Sequence, residues 1–388
     1  MKIALTADLH LDLRQFNSQE RWKDFIDTFV NVILNVIDLN VDVFIIGGDL
    51  FEKYRPHPGV VRKFLKEISK LNCPVILIRG NHDSPKIFFE KFGGDTLHLL
   101  QDVAEIIYLN KENPIYEKDD VCFIGLGYVG FDVNTEISQH VKNVETKAKI
   151  KVGIFHQLLD YPGVPDIQVD VSKGFLRGLG LDYILMGHWH LKYSEDRLFS
   201  PGSPEYWSFD QGEQIELDLD TGEETIKPPK EKGFYLIDTT KGEGKFIHVK
   251  PIRPMYNIIY KTQNFNEAIH VQAIKKHLES FNLEGVMIKT LLHGRCKYGR
   301  INIRKEILLD KPLLHTIITQ LKPSDVIIEK IDSIEAQTDY LMERGISDMI
   351  ARKLAKWLTI NSNRLSLMQS DELLNTLRSV IKSKRRKS

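Results

Sequence analysis

Lys2-Ile3-Ala4-Leu5-Thr6-Ala7-Asp8-Leu9-His10 is the stretch whose reading decides the fold. After Lys2 the run is uncharged as far as Asp8 and rich in small and branched residues, the pattern of a buried strand. Its carboxyl end delivers a carboxylate and an imidazole two positions apart, a potential metal-ligand pair. A single Asp beside a His usually just faces solvent. The pair gains meaning because the same pattern recurs along the chain.

Working outward, a helix is expected next, opened by Asn17 with Glu20 as a capping box and carrying Trp22, Phe25, Ile26, Phe29, Val30, Ile33 and Ile37 on one face. Residues 41–46 form a nearly continuous apolar strand ending in Gly47-Gly48-Asp49-Leu50-Phe51, and a second amphipathic helix bears Val61, Phe64, Leu65 and Ile68. Strand 74–78 ends in Arg79-Gly80-Asn81-His82-Asp83. Strand, helix, strand, helix, strand implies a mostly parallel sheet, where sites form at the carboxyl ends of strands. All three polar clusters fall there. Further strands are expected at 105–109, 120–125, 150–155 (leading into His156-Gln157), 183–186 (leading into Gly187-His188-Trp189-His190), 233–238 and 245–249, with 199–205 as a turn-rich loop.

A length of 388 residues allows two or three domains. The first is expected over 1–252. A small α/β unit over 253–332 follows, with strands at 256–260, 286–291 and 326–328 and a helix capped by Asn264 with Glu267. Residues 333–388 read as helices alone, marked by Ile350, Leu354, Trp357 and Leu358 and then by Leu373, Leu374, Leu377 and Val380, before a basic tail. Two short amphipathic helices without a covering layer must dock, either on their own body or on a partner protein.

Hydrophobic content of 42% and charged content of 27% are those of a globular protein. No apolar run approaches the roughly 20 residues of a membrane helix, and the N-terminus lacks a signal-peptide layout, so an intracellular place is expected. Cys73, Cys122 and Cys296 are odd in number and have no CxxC spacing, which favours reduced thiols. Lys+Arg equals Asp+Glu at 53 each, so overall charge does not point to nucleic acid. Only local patches could, such as Arg295, Lys297 and Arg300 or the tail at 382–387.

Collected along the chain, the groups at strand ends are Asp8, His10, Asp49, Asn81, His82, Asp83, His156, His188 and His190. Carboxylate, amide oxygen and imidazole without thiolate suit Mn²⁺ or Fe²⁺, with Zn²⁺ possible. There are too many for one ion. Two ions about 3.5 to 4 Å apart form a clamp for in-line displacement at phosphorus, and they lower the pKa of water toward about 7.

Asp-x-His, Gly-Asp, Gly-Asn-His-Asp, a lone His and Gly-His-x-His, in that order, resemble the five signature motifs of the calcineurin-like metallophosphoesterase superfamily. Gly-Asp-Leu-Phe, Phe-His-Gln and Pro-Gly-Ser-Pro-Glu resemble, more narrowly, the Mre-eleven/SbcD family of DNA double-strand-break repair nucleases. The resemblance implies an α/β fold: a two-sheet metallophosphoesterase sandwich flanked by helices, a small α/β capping domain and a C-terminal helical segment. It implies Asp8, His10 and His190 at one metal, Asn81, His156 and His188 at the other, and Asp49 bridging. His82 would protonate the leaving oxygen, with Asp83 orienting its ring. Also implied are two Mn²⁺ ions (Fe²⁺, Zn²⁺ and Mg²⁺ remaining open), exo- and endonuclease action on DNA ends as a homodimer, and a Rad-fifty/SbcC-type coiled-coil ATPase bound by the terminal helices. A place in a prokaryotic cytoplasm, at the nucleoid, is expected over a nucleus, and no membrane is involved. Members of the family often carry a histidine where this chain has Glu52, which leaves the balance of exonuclease to endonuclease activity open. A phosphomonoesterase or cyclic-nucleotide phosphodiesterase of the same superfamily is the alternative.

Overall fold

Ile3 and Leu5 pack against one layer and Ala4 against another, the period-two alternation of a strand buried on both faces. The computed structural model describes residues 1–84, 95–296, 303–323, 338, 341–342 and 348–365. β1 (Lys2–Thr6), α1 (Gln19–Leu39), β2 (Val43–Ile46), α2 (Pro58–Ile68), β3 (Val75–Leu77), α3 (Thr96–Val103) and β4 (Ile106–Tyr108) alternate. The four strands are parallel, with Ile3 opposite Val43, Phe44 opposite Val75 and Val75 opposite Ile106. Their carboxyl ends therefore share one sheet edge. The helix cap differs from expectation. Asn17 is left-handed (φ 57°) at the end of a one-turn helix, so it cannot serve as an extended cap; Ser18 does so, its hydroxyl accepting from the Arg21 N–H.

A second sheet follows, built from β5 (Ile115–Lys118), β6 (Val121–Leu126), β7 (Ile150–His156), β8 (Tyr183–Gly187), β9 (Tyr193–Glu195) and β10 (Leu198–Ser200), with α4 (Val133–Lys142) and α5 (Lys173–Arg177) inserted. β6, β7, β8 and β10 are parallel. β10 occupies the front of the expected 199–205 loop. Ile3, Leu5, Val43 and Ile45 interleave with Phe123, Val152, Ile154 and Leu185 across the two sheets. The outer faces are covered by Phe29, Val32 and Phe64 on one side and by Ile137, Val141 and Leu176 on the other. Helices, sheet, sheet, helices is the expected flanked sandwich.

β11 (Glu213–Asp218) and β12 (Glu224–Lys227) leave the sandwich, and β13 (Gly233–Asp238) and β14 (Glu243–His248) return to the first sheet beside β1. β15 (Met255–Phe265), α6 (Glu267–Glu279), β16 (Met287–Cys296), α7 (Arg304–Ile307) and β17 (Leu314–Pro323) then complete a third sheet in the order β12-β11-β15-β16-β17. This sheet crosses the boundary expected at 252, because β11 pairs in parallel with β15. The cap of α6 is Asn266, accepting from the Ile269 N–H, rather than Asn264, which belongs to β15. The strand expected at 326–328, the helix around 373–380, the basic tail, Lys297 and Arg300 lie outside the described residues. A second compact unit comprises residues 295–300 and 322–388; its main described element is α8 (Asp348–Leu365), with Ala351, Leu354 and Ala355 buried. Cys73 and Cys122 are free thiols. No helix among the described residues is long and apolar enough to cross a membrane.

A buried ionic network joins α1 to the segments flanking the third sheet. Arg21, with no exposed surface, donates to Gln15 Oε1 at 2.9 Å, Asp24 Oδ2 at 2.9 Å, Glu205 Oε1 at 3.3 Å and the Tyr206 carbonyl at 3.0 Å. Arg253 donates to both oxygens of Asp24, at 2.6 and 3.0 Å. Thr28 and the Ile252 N–H complete the partners of Glu205 Oε2. Removing one partner of such a network leaves charge buried without compensation. Arg21→Met is expected to lower the unfolding free energy by about 3–5 kcal/mol in urea titrations; a loss below about 1 kcal/mol would show that the carboxylates find other partners.

Candidate metal centre

Three of the donor-bearing turns, after β1, β2 and β8, leave their strands with backbone angles that side chains seldom adopt. Asp8, His10, Asp49 and His188 have φ of 53°, 44°, 49° and 85°. Hydrogen bonds between the turns hold them: the Asp8 N–H donates to the Gly48 carbonyl at 3.1 Å, and the His10 N–H to the Asp49 carbonyl at 3.0 Å. The turns run so close that there is no room for a methyl group. A Cβ on Gly48 would sit 2.2 Å from His156 Nδ1, and one on Gly80 2.0 Å from Asp49 Oδ1. The glycines of the Gly-Asp and Gly-Asn-His-Asp motifs are explained by this crowding.

All seven residues expected as ligands converge. The donor atoms of Asp8, His10 and His190 lie within 4.8 Å of one another, as do those of Asp49, His156 and His188. Asp49 Oδ2 lies between the groups, 3.7 Å from His10 Nε2 and 3.3 Å from His156 Nε2. Asn81 Oδ1 faces His188 Nδ1 at 2.9 Å and His156 Nε2 at 3.2 Å. His10 Nε2 and His190 Nε2 are 3.1 Å apart. His82 sits at the rim, its side chain 30% exposed.

Burial raises Asp8 to about 6. Burial alone would also raise Asp49, but the neighbouring His156 holds it well below the usual carboxylate range. His188 is lowered to about 4, and His190 far below its usual value, both by burial first and then by neighbouring imidazoles. They are therefore neutral, with lone pairs available to a cation. His156 resists its own burial and rises to about 9 because Asp49 and Asp8 face it. Positive charge is favoured between these carboxylates.

Asp83 departs from its expected role. Its buried carboxylate accepts from the N–H groups of Leu50, Phe51 and Gly80 at 3.1, 2.9 and 3.1 Å. It ties the Asp49 turn to the Asn81 turn, while the His82 ring lies instead against Glu52. Three backbone donors at one point satisfy a buried carboxylate better than one imidazole does. Glu52 itself sits inside the site, with Oε2 at 3.0 Å from His10 Nδ1 and 3.3 Å from His82 Nδ1. Despite burial, these imidazoles lower Glu52 to about 2, and the hydrogen bond to Glu52 raises His82 to about 9. Trp207, which sequence reasoning missed, lies with its ring 4.2 Å from that of His10 and 4.4 Å from that of His190. Only its place just after Pro-Gly-Ser-Pro-Glu could have marked it. Arg295 is exposed and lies in the second compact unit.

The residues fit divalent cations. Asp8 Oδ2 is buried with no hydrogen-bond partner among the described residues, and nitrogen and oxygen donors without thiolate suit borderline metals. A flanked two-sheet sandwich carrying this donor set at one edge defines a metallophosphoesterase. The calcineurin-like phosphoesterase family matches residues 1–192. The DNA double-strand break repair protein Mre11 of Methanocaldococcus jannaschii is 27% identical over 95% of this chain and 97% of its own length. Its counterpart in Saccharolobus solfataricus is 25% identical over 97% of each chain, and that of Methanopyrus kandleri 26% identical over 69% of this chain and 61% of its own. The chain belongs to the Mre11 family of calcineurin-like phosphoesterases and is a metal-dependent enzyme. Gly80→Ala, by driving a methyl group into Asp49, is expected to remove bound metal; elemental analysis showing a full metal complement would contradict this account of the motif glycine.

Proposed function

We propose that the chain is a Mn²⁺-dependent exonuclease and endonuclease hydrolysing phosphodiester bonds at DNA ends in double-strand-break repair, with a coiled-coil ATPase of the Rad-fifty/SbcC type. The observation that carries this reading is the convergence of seven oxygen and nitrogen donors at one edge with a further histidine, His82, at the rim, its ring centroid 4.8 Å from that of His10. Relatives named for double-strand break repair that align end to end supply the substrate class. Asp8, His10 and His190 would hold one cation and Asn81, His156 and His188 the other, with Asp49 between them. Bound there, the cations neutralise phosphoryl charge and lower the pKa of water to about 7.

The chain's own groups then divide the work. Glu52 accepts from His82 Nδ1 through its carboxylate, and its carbonyl lies 3.3 Å from the same nitrogen, fixing the ring. This leaves His82 Nε2 to deliver a proton to the leaving oxygen. Asp83 positions the turn that carries His82 rather than its ring. The protein would act as a homodimer in a prokaryotic cytoplasm, its terminal helices receiving the ATPase.

Purified chain with Mn²⁺ is expected to degrade end-labelled linear duplex DNA and to nick closed circular single-stranded DNA, with EDTA abolishing both. His82→Asn should slow hydrolysis by roughly 10²- to 10⁴-fold while metal content stays at the wild-type level. A wild-type rate in that variant would remove His82 from the chemistry, and turnover of a small chromogenic ester with no cleavage of DNA would favour the phosphomonoesterase reading. Deleting residues 333–388 should leave Mn²⁺-dependent cleavage intact and abolish capture of the ATPase; undiminished capture would place that interface elsewhere.

A further inference from the structure

The metal centre shares a wall with a cavity of about 510 Å³, lined in part by Glu52 and Trp207. Trp207 is the common partition, since its ring touches both His10 and His190. Phe16 and Phe209 also line the cavity and pack with ring centroids 5.4 Å apart. Phe16 is unusual in two respects. The residue is 45% exposed, and its backbone adopts φ 58°, ψ 24°, a conformation that bulky residues seldom take. Hydrogen bonds pin the turn: the Asn17 N–H donates to the Arg14 carbonyl at 2.9 Å, and the Ser18 N–H to the Gln15 carbonyl at 3.2 Å. The chain thus holds an aromatic residue of the cavity lining in a strained conformation, and such strain concentrates at functional positions.

Charge narrows the occupant. Arg14 and Lys289 are offset by Glu52 and Asp210 on the same lining, so the cavity has no surplus of positive charge to attract a phosphate. Aromatic faces with both donors and acceptors around them suit a flat, neutral group with hydrogen-bonding edges. We propose that this cavity is a nucleobase subsite. The base of the nucleotide attached to the reacting phosphate leaves its stack and lies on Phe16 and Trp207, one wall away from the metal ligands. The inference rests on the nuclease reading and deepens it: the enzyme acts on ends whose last base can be unstacked. Base stacking on aromatic side chains tolerates any sequence, as a nuclease processing arbitrary ends requires.

The test compares kcat/KM on a single-stranded oligodeoxythymidylate with that on an abasic oligomer of equal length, using the full chain and Mn²⁺. The wild type is expected to prefer the thymidylate. Phe16→Ala should cut that preference by about 5- to 100-fold, and Phe16→Trp should retain it. Phe16→Gly relieves the backbone strain and is expected to melt no lower than the wild type, so its loss of preference cannot be ascribed to unfolding. A wild-type ratio in Phe16→Ala, or no preference in the wild type, overturns the subsite while leaving the nuclease reading intact. A wild type that turns over a small chromogenic diester and neither oligomer overturns both.

Discussion

The structure depends on the absence of side chains at the points where the strand ends meet. β1, β2, β3, β7 and β8 all stop at one edge of the sandwich, and their turns cross at distances that exclude even a methyl group at Gly48, Gly80 and Gly187. That crowding lets Asp49 lie between two groups of imidazoles and lets Asn81 face both His156 and His188. It also explains why donor residues such as Asp8 and His188 tolerate positive φ: the Asp8 N–H donates to the Gly48 carbonyl and the His188 N–H to Asp8 Oδ1, so bonds between the turns over-determine their conformation.

Electrostatics follows from that packing. Carboxylates and imidazoles brought this close and sealed from water cannot all keep their solution protonation states. Burial leaves His188 and His190 neutral, Asp49 ionised by its neighbour, and His156 favouring positive charge. The preference for a cation is therefore a property of the arrangement rather than of any one residue. Asp83 and Glu52 have different tasks beside these groups, one tying turns together through the backbone, the other touching the rings of His10 and His82.

The third sheet shows how far chain order can mislead. β11 and β12 precede β13, which returns to pair with β1, yet β11 hydrogen-bonds to β15, which comes after both. The Arg21, Asp24, Glu205 and Arg253 network spans this exchange and anchors the 205–207 segment that presents Trp207 to His10 and His190. A partition of the sequence at residue 252 misses this arrangement, because nothing local in Glu213–Asp218 says which sheet it joins.

From the sequence alone come the mostly parallel order of the first sheet and the polar groups that stand at its strand ends. Apolar runs buried on both faces can only be inner strands, and in a parallel sheet their polar ends must share an edge. The helix caps were each misplaced slightly, since Ser18 and Asn266 are distinguished from Asn17 and Asn264 only by backbone angles. Tertiary structure alone decided that Asp83 binds backbone N–H groups, that Glu52 reaches His10 and His82, and that Trp207 and Phe16 line a cavity beside His10 and His190. Those contacts join residues up to about 200 positions apart. Periodicity reports which face of an element is buried, whereas the partner a buried group meets is set by how separate elements close on one another.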